Sequence, residues 1–465
     1  MYIREIQIEN IRGFGEGEQG VSLDLTRPDG SLAGWTVIAG RNGTGKTTLL
    51  RAIALSAIGP VASAMLHGSF AGWIRKGARE AEVRARIEYD KGDRIEGGGK
   101  HPASSFWSGL RWEQQAGGPE PKLRVPSKYL PPRHIRGVAD DLGPWSDNPQ
   151  GWFVAGYGPF RRLSGHASDA QQLMSGAPRI ARLVSLFRED ASLIESTQWF
   201  REAYFRRIAH LVKDNEDEAG AQMDLNDNVV HLLNDGLLPD GAEIEDYDDH
   251  GLLVRQGAVV LRLDQLSDGY RTVIALVLDI ASQLHRAFGE FKLEELPDQV
   301  QVPYSGVVLI DEIDVHLHIE WQKRIGFWFK KHFPHIQFIV TTHSPFICQA
   351  ADPNGIIRLP SVGDPRPAAP VPEDVYNIVV NGSADDAVMT ELFGGERPYS
   401  DAAEALREEI SALESRVIEG RVTPSEKTRL KGLSAKLPKT PSAEVERALL
   451  KLSAQLGAKP RAKQR

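Results

Sequence analysis

Gly40-Arg41-Asn42-Gly43-Thr44-Gly45-Lys46-Thr47 follows the apolar segment Trp35 to Ala39 and runs into Thr48 and a long aliphatic stretch. The spacing is that of a P-loop. Glycines between a strand and a helix let backbone N–H groups close around phosphate, a lysine ammonium reaches the outer phosphates, and the next hydroxyl ligates magnesium. Asn42, Gly43, Thr44, Gly45, Lys46, Thr47 and Thr48 are therefore the expected contacts of a nucleoside triphosphate, with Thr47 on the metal.

Three further segments supply parts that a phosphate site needs. Val307-Val308-Leu309-Ile310-Asp311-Glu312 reads as a buried strand ending in two carboxylates, Asp311 suited to hold the magnesium shell and Glu312 to polarise an attacking water. Ile336 to Val340 reads as a second apolar strand. Thr341-Thr342-His343-Ser344 follows at its carboxyl end, where open α/β sheets place ligand contacts, and His343 there is positioned to sense the γ-phosphate. Leu266-Ser267-Asp268-Gly269-Tyr270-Arg271 opens a helix carrying Val273, Ile274, Leu276, Val277, Ile280 and Leu284. Ser267 is its natural N-cap, and that N-terminus is a second anion site. ATP and Mg2+ are the expected ligands.

The order of P-loop, Ser-x-Gly segment, paired carboxylates and histidine resembles the ATP-binding-cassette ATPases. In that family the signature segment of one protomer covers ATP held by the other, which implies that Ser267 and Gly269 act in trans in a nucleotide-bridged dimer. Ile6-Gln7-Ile8-Glu9-Asn10-Ile11-Arg12-Gly13-Phe14 looks like the opening strand of the RecF, SMC and overcoming-lysogenization-defect ATPases, and that likeness implies Arg12 as a further nucleotide contact. Asp311 to His318 and Thr341 to Pro345 match the same style, although Ile319 stands where a proline is common. Asp268 and Tyr270 depart from the Leu-Ser-Gly-Gly-Gln signature usual in transporter cassettes.

Tyr157-Gly158-Pro159-Phe160-Arg161-Arg162, the Trp321-Gln322-Lys323-Arg324 helix and Phe393-Gly394 resemble the ATPase subunits of the Septu anti-phage systems and of Septu-like modules found with retrons. That resemblance implies an ATP-binding and ATP-hydrolysing regulatory subunit. It would form oligomers from ATP-bridged dimers and hold a separate nuclease under nucleotide control. Residues 355 to 465 carry neither the acidic strand end and Asp-x-Asp cluster of a Toprim nuclease nor a His-Asn-His pattern, so the destructive chemistry is expected on another polypeptide. A RecF/SMC-like repair ATPase acting directly on DNA and an ATP-sensing scaffold with negligible turnover are the alternatives.

Composition sets outer bounds. The chain has 465 residues, 41% of them hydrophobic, enough for more than one domain. A single cysteine, Cys348, excludes an intrachain disulfide and suits a reducing cytoplasm. No secretory segment opens the sequence, and the apolar run Val273 to Ala281 is too short to span a bilayer, so a cytoplasmic protein without a membrane is expected. Net charge is −8, but from Arg421 onward twelve basic residues face only Glu426, Glu444 and Glu446, an excess of nine that leaves the rest at −17. That end reads as a solvated basic helix or as a contact for nucleic acid or an acidic partner.

These elements predict an α/β protein with a P-loop ABC-type ATPase head, an inserted α+β subdomain and a helical carboxyl-terminal region. The expected boundaries are 1–70 for the first part of the head, 71–249 for the insertion, 250–395 for the second part and 396–465 for a basic helical arm contacting a partner or another protomer. Within the insertion, Ala81 to Tyr89 alternates as a strand that Ser108 to Gln115 can pair with, helices are expected from Ile180 to Lys213, and the acidic runs 214–218 and 243–249 read as exposed loops. There are no sustained heptads and no zinc-hook Cys-x-x-Cys. Ser361 to Glu373 reads as an exposed connector. Leu406, Ile410, Leu413 and Val417 form one later stripe, and Val445, Leu449, Leu452 and Leu456 another. His316 and His318 alternate as a metal pair can, but they fall in the segment that faces the opposite protomer in related ATPases. Arg161 and Arg162 are either surface arginines or anchors for phosphate or a partner carboxylate.

Overall fold

The computed structural model describes residues 1–95, 105–126, 143–146, 149–161, 168–174, 176–193, 197–205, 216–248, 251–361, 363–395 and 399–437. Arg162, the end of the helical stretch toward Lys213 and the stripe beginning at Val445 lie outside the described residues. The chain forms two compact units, Met1–Gly395 and Glu396–Arg465.

Strands β1 (Tyr2–Glu9), β2 (Val21–Asp24) and β3 (Gly34–Ala39) precede the P-loop. β4 (Glu80–Glu88), β5 (Phe106–Glu113), β6 (Lys122–Arg124) and β7 (Val154–Tyr157) follow it, then β8 (Glu243–Asp248), β9 (Gly251–Gln256), β10 (Val259–Arg262), β11 (Glu294–Leu296) and β12 (Gln299–Gln301). β13 (Gly306–Ile310), β14 (Ile336–Thr342), β15 (Ile356–Arg358) and β16 (Ala369–Pro370) come last. The central sheet runs β16-β15-β3-β14-β13-β7, parallel except for the β16 edge. Both of its faces are covered, which is why its strands are continuous apolar runs rather than alternating ones. Trp35, Val37, Val308, Phe338 and Val340 enter one core with the helices Asp268–Phe288 and Ile319–His332. Ile38, Val307, Leu309 and Ile339 enter the other with the helix Lys46–His67.

That helix is long and apolar enough to cross a membrane by length and composition, and here most of it is buried inside the protein. Beyond it lies an antiparallel sheet of order β2-β1-β4-β5-β6. β1 buries Ile3, Ile6 and Ile8, a three-then-two spacing made possible by a register shift between Ile3 and Glu5. Gln337 joins the two sheets at that bulge. Its fully buried amide accepts from Ile3 N and donates to Ile3 O, both at 2.8 Å, as a strand neighbour would.

The placement of β4, β5 and β7 differs from the expected division. β4 and β5 do pair, but β4 also pairs with β1, and β7 forms the edge of the central sheet beside β13. Strands β4 to β6 therefore complete the sheet of β1 and β2, and β7 the central sheet, while β8 belongs to a third sheet with β9 and β10. Both acidic runs also differ from the loop expectation. Residues 216–218 open the helix Glu216–Asn234. Glu243–Asp248 is β8, paired with β9, and Ile244 and Tyr247 are buried. The Ser361–Glu373 stretch includes β16, and Asp364 is tied to Arg358 and Arg366.

In the second unit, the helix Asp401–Ile418 starts on a Ser400 cap and buries Ile410 and Leu413. A second helix, Pro424–Ser434, starts on a Thr423–Glu426 capping box.

Candidate nucleotide site

The order β3-β14-β13 in a parallel sheet brings three carboxyl strand ends to one edge, so the P-loop, the histidine segment and the paired carboxylates meet there. Gly45 occupies the N-cap of Lys46–His67 with φ 93°, and Gly43 has φ 82°, conformations that favour glycine. A Cβ on Gly45 would stand 2.7 Å from the Phe14 ring, so the segment after β1 supports the loop from below. Asn42 and Gly43 are exposed on the loop, while Thr44, Lys46 and Thr48 are buried. Thr44 donates to Arg41 O at 3.0 Å.

Lys46 Nζ donates to the Gly40 and Arg41 carbonyls at 2.8 and 3.1 Å. Burial holds its pKa below the ordinary lysine value, with Glu312, Asp311 and Asp314 opposing that shift. Thr47 Oγ1 donates to Asp311 Oδ2 at 2.7 Å. Two hard oxygens at that separation match an edge of about 2.9 Å in an octahedron with magnesium–oxygen bonds near 2.0–2.1 Å, so the pair fits that ion. On the far side of Asp311, Thr341 Oγ1 donates to Oδ1 at 2.6 Å and accepts from Glu312 N at 2.7 Å. Thr342 Oγ1 donates to Asp314, and His343 N donates to the same oxygen at 3.4 Å. His343 is exposed at this edge. Partial burial lowers its pKa first and Lys46 second, against the pull of Asp314, Glu312 and Asp311.

The remaining expected residues are placed as follows. Arg12 has φ 49° and stacks its guanidinium 4.9 Å over Trp73. Burial lowers its pKa, and Arg51 adds to that lowering. Ser267 stands at the N-cap of Asp268–Phe288 and is exposed, but its side chain makes no capping hydrogen bond. Gly269 is buried against the His316 carbonyl, which a Cβ would approach to 3.3 Å. His318 Nδ1 accepts from Glu320 N and caps the helix Ile319–His332, and the described residues contain no cluster of metal ligands.

Arg161 departs from both readings made of it. It is neither a surface arginine nor an anion anchor, because its buried guanidinium is occupied by backbone carbonyls of Gly158, Asp311, Glu312, Ile313 and Val315. Its neighbour Tyr157 donates to Asp279, a buried carboxylate on the helix that begins at the Ser-x-Gly segment, at 2.8 Å. Burial raises the Asp279 pKa, and the hydrogen bonds from Tyr157 and Gln283 oppose it. Neither contact, nor the double role of Thr341, is signalled by residue spacing. A hint is the pair of threonines that closes the strand Ile336–Thr342.

A P-loop beside a doubly covered parallel sheet, with the carboxylate and histidine strands next to it and a Ser-x-Gly helix, is an arrangement suited to hold a nucleoside triphosphate. Two family models match the chain: "AAA domain, putative AbiEii toxin, Type IV TA system" over residues 160–349 and "AAA domain" over residues 5–114. Among curated relatives it is 26% identical over 345 residues to "Septu protein PtuA" of Bacillus mycoides, covering 74% of this chain and 38% of that protein. It is 43% identical over 106 residues to "Retron Ec83 probable ATPase" of Escherichia coli, 23% of this chain and 18% of that protein. It is 45% identical over 84 residues to "Retron Vc95 probable ATPase" of Vibrio cholerae, 18% of this chain and 15% of that protein. The chain thus spans well under half the length of these relatives. Among solved structures, the SMC head bound to the C-terminal winged-helix domain of ScpA matches with a TM-score of 0.45 at 18% identity, over 80% of this chain and 99% of that one.

Proposed function

We propose that the chain binds ATP with Mg2+ at the carboxyl edge of its central sheet, hydrolyses it, and thereby regulates a separate nuclease in an anti-phage defence complex. The observation that carries the ATP reading is the continuous chain of contacts Thr47–Asp311–Thr341–Glu312, which joins the P-loop to the Asp311 carboxylate and to the backbone of Glu312. In this reading Lys46 exchanges the Gly40 and Arg41 carbonyls for phosphate oxygens. Thr47 and Asp311 hold magnesium, which neutralises phosphate charge when bound. Glu312 orients the attacking water, and His343 meets the γ-phosphate as a neutral donor. Asn42, Gly43, Thr44, Gly45 and Thr48 form the phosphate cradle, and Arg12 flanks it. Ser267 and Gly269 face ATP held by a second copy, so the unit of assembly is an ATP-bridged dimer.

The defence role is supported by the similarity to the Septu and retron ATPases. It is tested by expressing the chain with the product of the neighbouring gene. The reading expects an ATP-dependent complex with a nuclease whose activity changes with the bound nucleotide. Hydrolysis stimulated by duplex DNA, with a steep salt dependence and no such partner, would favour a repair ATPase instead.

A further inference from the structure

Five carbonyls converge on one guanidinium at the end of β13. Arg161 Nη1 donates to Gly158 O at 3.2 Å and Asp311 O at 3.0 Å. Nη2 donates to Glu312 O and Ile313 O, both at 3.1 Å, and to Val315 O at 3.4 Å. The chain folds tightly here, with Val315 N bonded to Glu312 O and Glu312 itself at φ 46°. A non-glycine residue in that region costs on the order of 1 kcal/mol and persists only where its surroundings hold it. Carbonyls that such a turn directs inward need donors, and arginine alone presents five N–H groups in one rigid plane. Burial brings the Arg161 pKa down to about 10, opposed by Asp314, Asp311 and Glu312, so the group remains a cation at neutral pH.

Glu312 is therefore gripped through its backbone from two sides, its N–H by Thr341 Oγ1 and its carbonyl by Arg161. We infer that Arg161 is a positioning residue for ATP hydrolysis: by fixing the 311–315 turn it sets the direction of the Glu312 carboxylate without touching nucleotide. The inference rests on the ATPase reading above. A lysine at 161 offers three N–H groups from a single point, which cannot span carbonyls from Gly158 to Val315. The turn then relaxes while the P-loop is untouched.

The test compares wild type, Arg161→Lys, Glu312→Gln and the double variant by ATP dissociation constant and single-turnover hydrolysis. Arg161→Lys should keep the dissociation constant within about threefold and lower the hydrolysis rate about tenfold or more. In the Glu312→Gln background the same change should lower the residual rate by less than about twofold, because the group whose position it sets is gone. Arg161→Gln, with two donors in a planar amide, carries the same comparison if the lysine variant does not fold. An unchanged rate, or an equal fall in both backgrounds, would overturn the positioning role while leaving the ATPase reading intact. A wild type that binds ATP without hydrolysing it would remove both.

Discussion

Thr341 and Asp311, at the ends of the adjacent parallel strands β14 and β13, share a hydrogen bond of 2.6 Å, and the same threonine hydroxyl accepts from Glu312 N. One side chain thus ties the carboxylate on which metal binding depends in the proposed function to the backbone of the residue on which water activation depends. Thr341→Val keeps the shape and removes both bonds, leaving a half-buried N–H without its acceptor. It should lower stability by about 1–3 kcal/mol and reduce turnover, read by urea unfolding and a steady-state ATPase assay. Wild-type turnover in this variant would show that Asp311 and Glu312 need no such tie.

Lys46→Ala removes a donor to phosphate and, in the structure described, a donor to the Gly40 and Arg41 carbonyls. A charge-assisted hydrogen bond is worth about 1.5–3 kcal/mol, so ATP affinity should fall about 10- to 100-fold. Calorimetric titration with ATP checks this. Unaltered affinity would place the triphosphate elsewhere.

Ser267 tests the trans arrangement better than Gly269, because the Cβ of any residue at 269 presses on the chain's own His316 carbonyl whereas Ser267 is exposed. Ser267→Arg should abolish ATP-dependent association, measured by light scattering, while each chain still binds ATP within about threefold of wild type. Equal association of variant and wild type would rule out this segment as the bridge.

His332 gives a pH signature. It is fully buried, its Nδ1 contacts Val300 O at 2.8 Å, and Asp235 lies 3.7 Å away. Burial lowers its pKa below 6.5, with Lys331 adding to that lowering and Val300 and Asp235 opposing it. A histidine with a depressed folded pKa stabilises the fold above its unfolded pKa, and that contribution is lost as pH falls below about 6.5. The unfolding temperature of wild type should therefore drop more steeply between pH 7 and pH 5 than that of His332→Gln. Parallel curves would mean that His332 is not the group responsible.

How much could be read in advance depends on where the chemistry is written. The P-loop, Asp311-Glu312 and His343 are contiguous motifs whose spacing is itself the requirement, and the parallel order β3-β14-β13 gathers them at one edge. Arg161 is different. Its partner carbonyls on the carboxylate turn lie some 150 residues away, and a backbone carbonyl leaves no mark in residue type. β8 was hidden by its charge and by a bulge between Ile244 and Asp246, which spaces the buried Ile244 and Tyr247 by three instead of two. β4 was legible as a strand, but its pairing with β1 and that of β7 with β13 follow from long-range packing that residue spacing does not record. Ser267 was legible as a helix start, and its missing cap bond leaves that hydroxyl open to a ligand.

The central claim, that this edge hydrolyses ATP through Glu312, is tested most directly by following bound radiolabelled ATP in wild type and Glu312→Gln over one turnover. The substitution preserves the shape of the side chain and removes its capacity as a base. Wild type should convert the bound ATP to ADP, whereas Glu312→Gln should retain intact ATP with a rate lower by about a hundredfold or more. Conversion by Glu312→Gln at the wild-type rate would contradict the account.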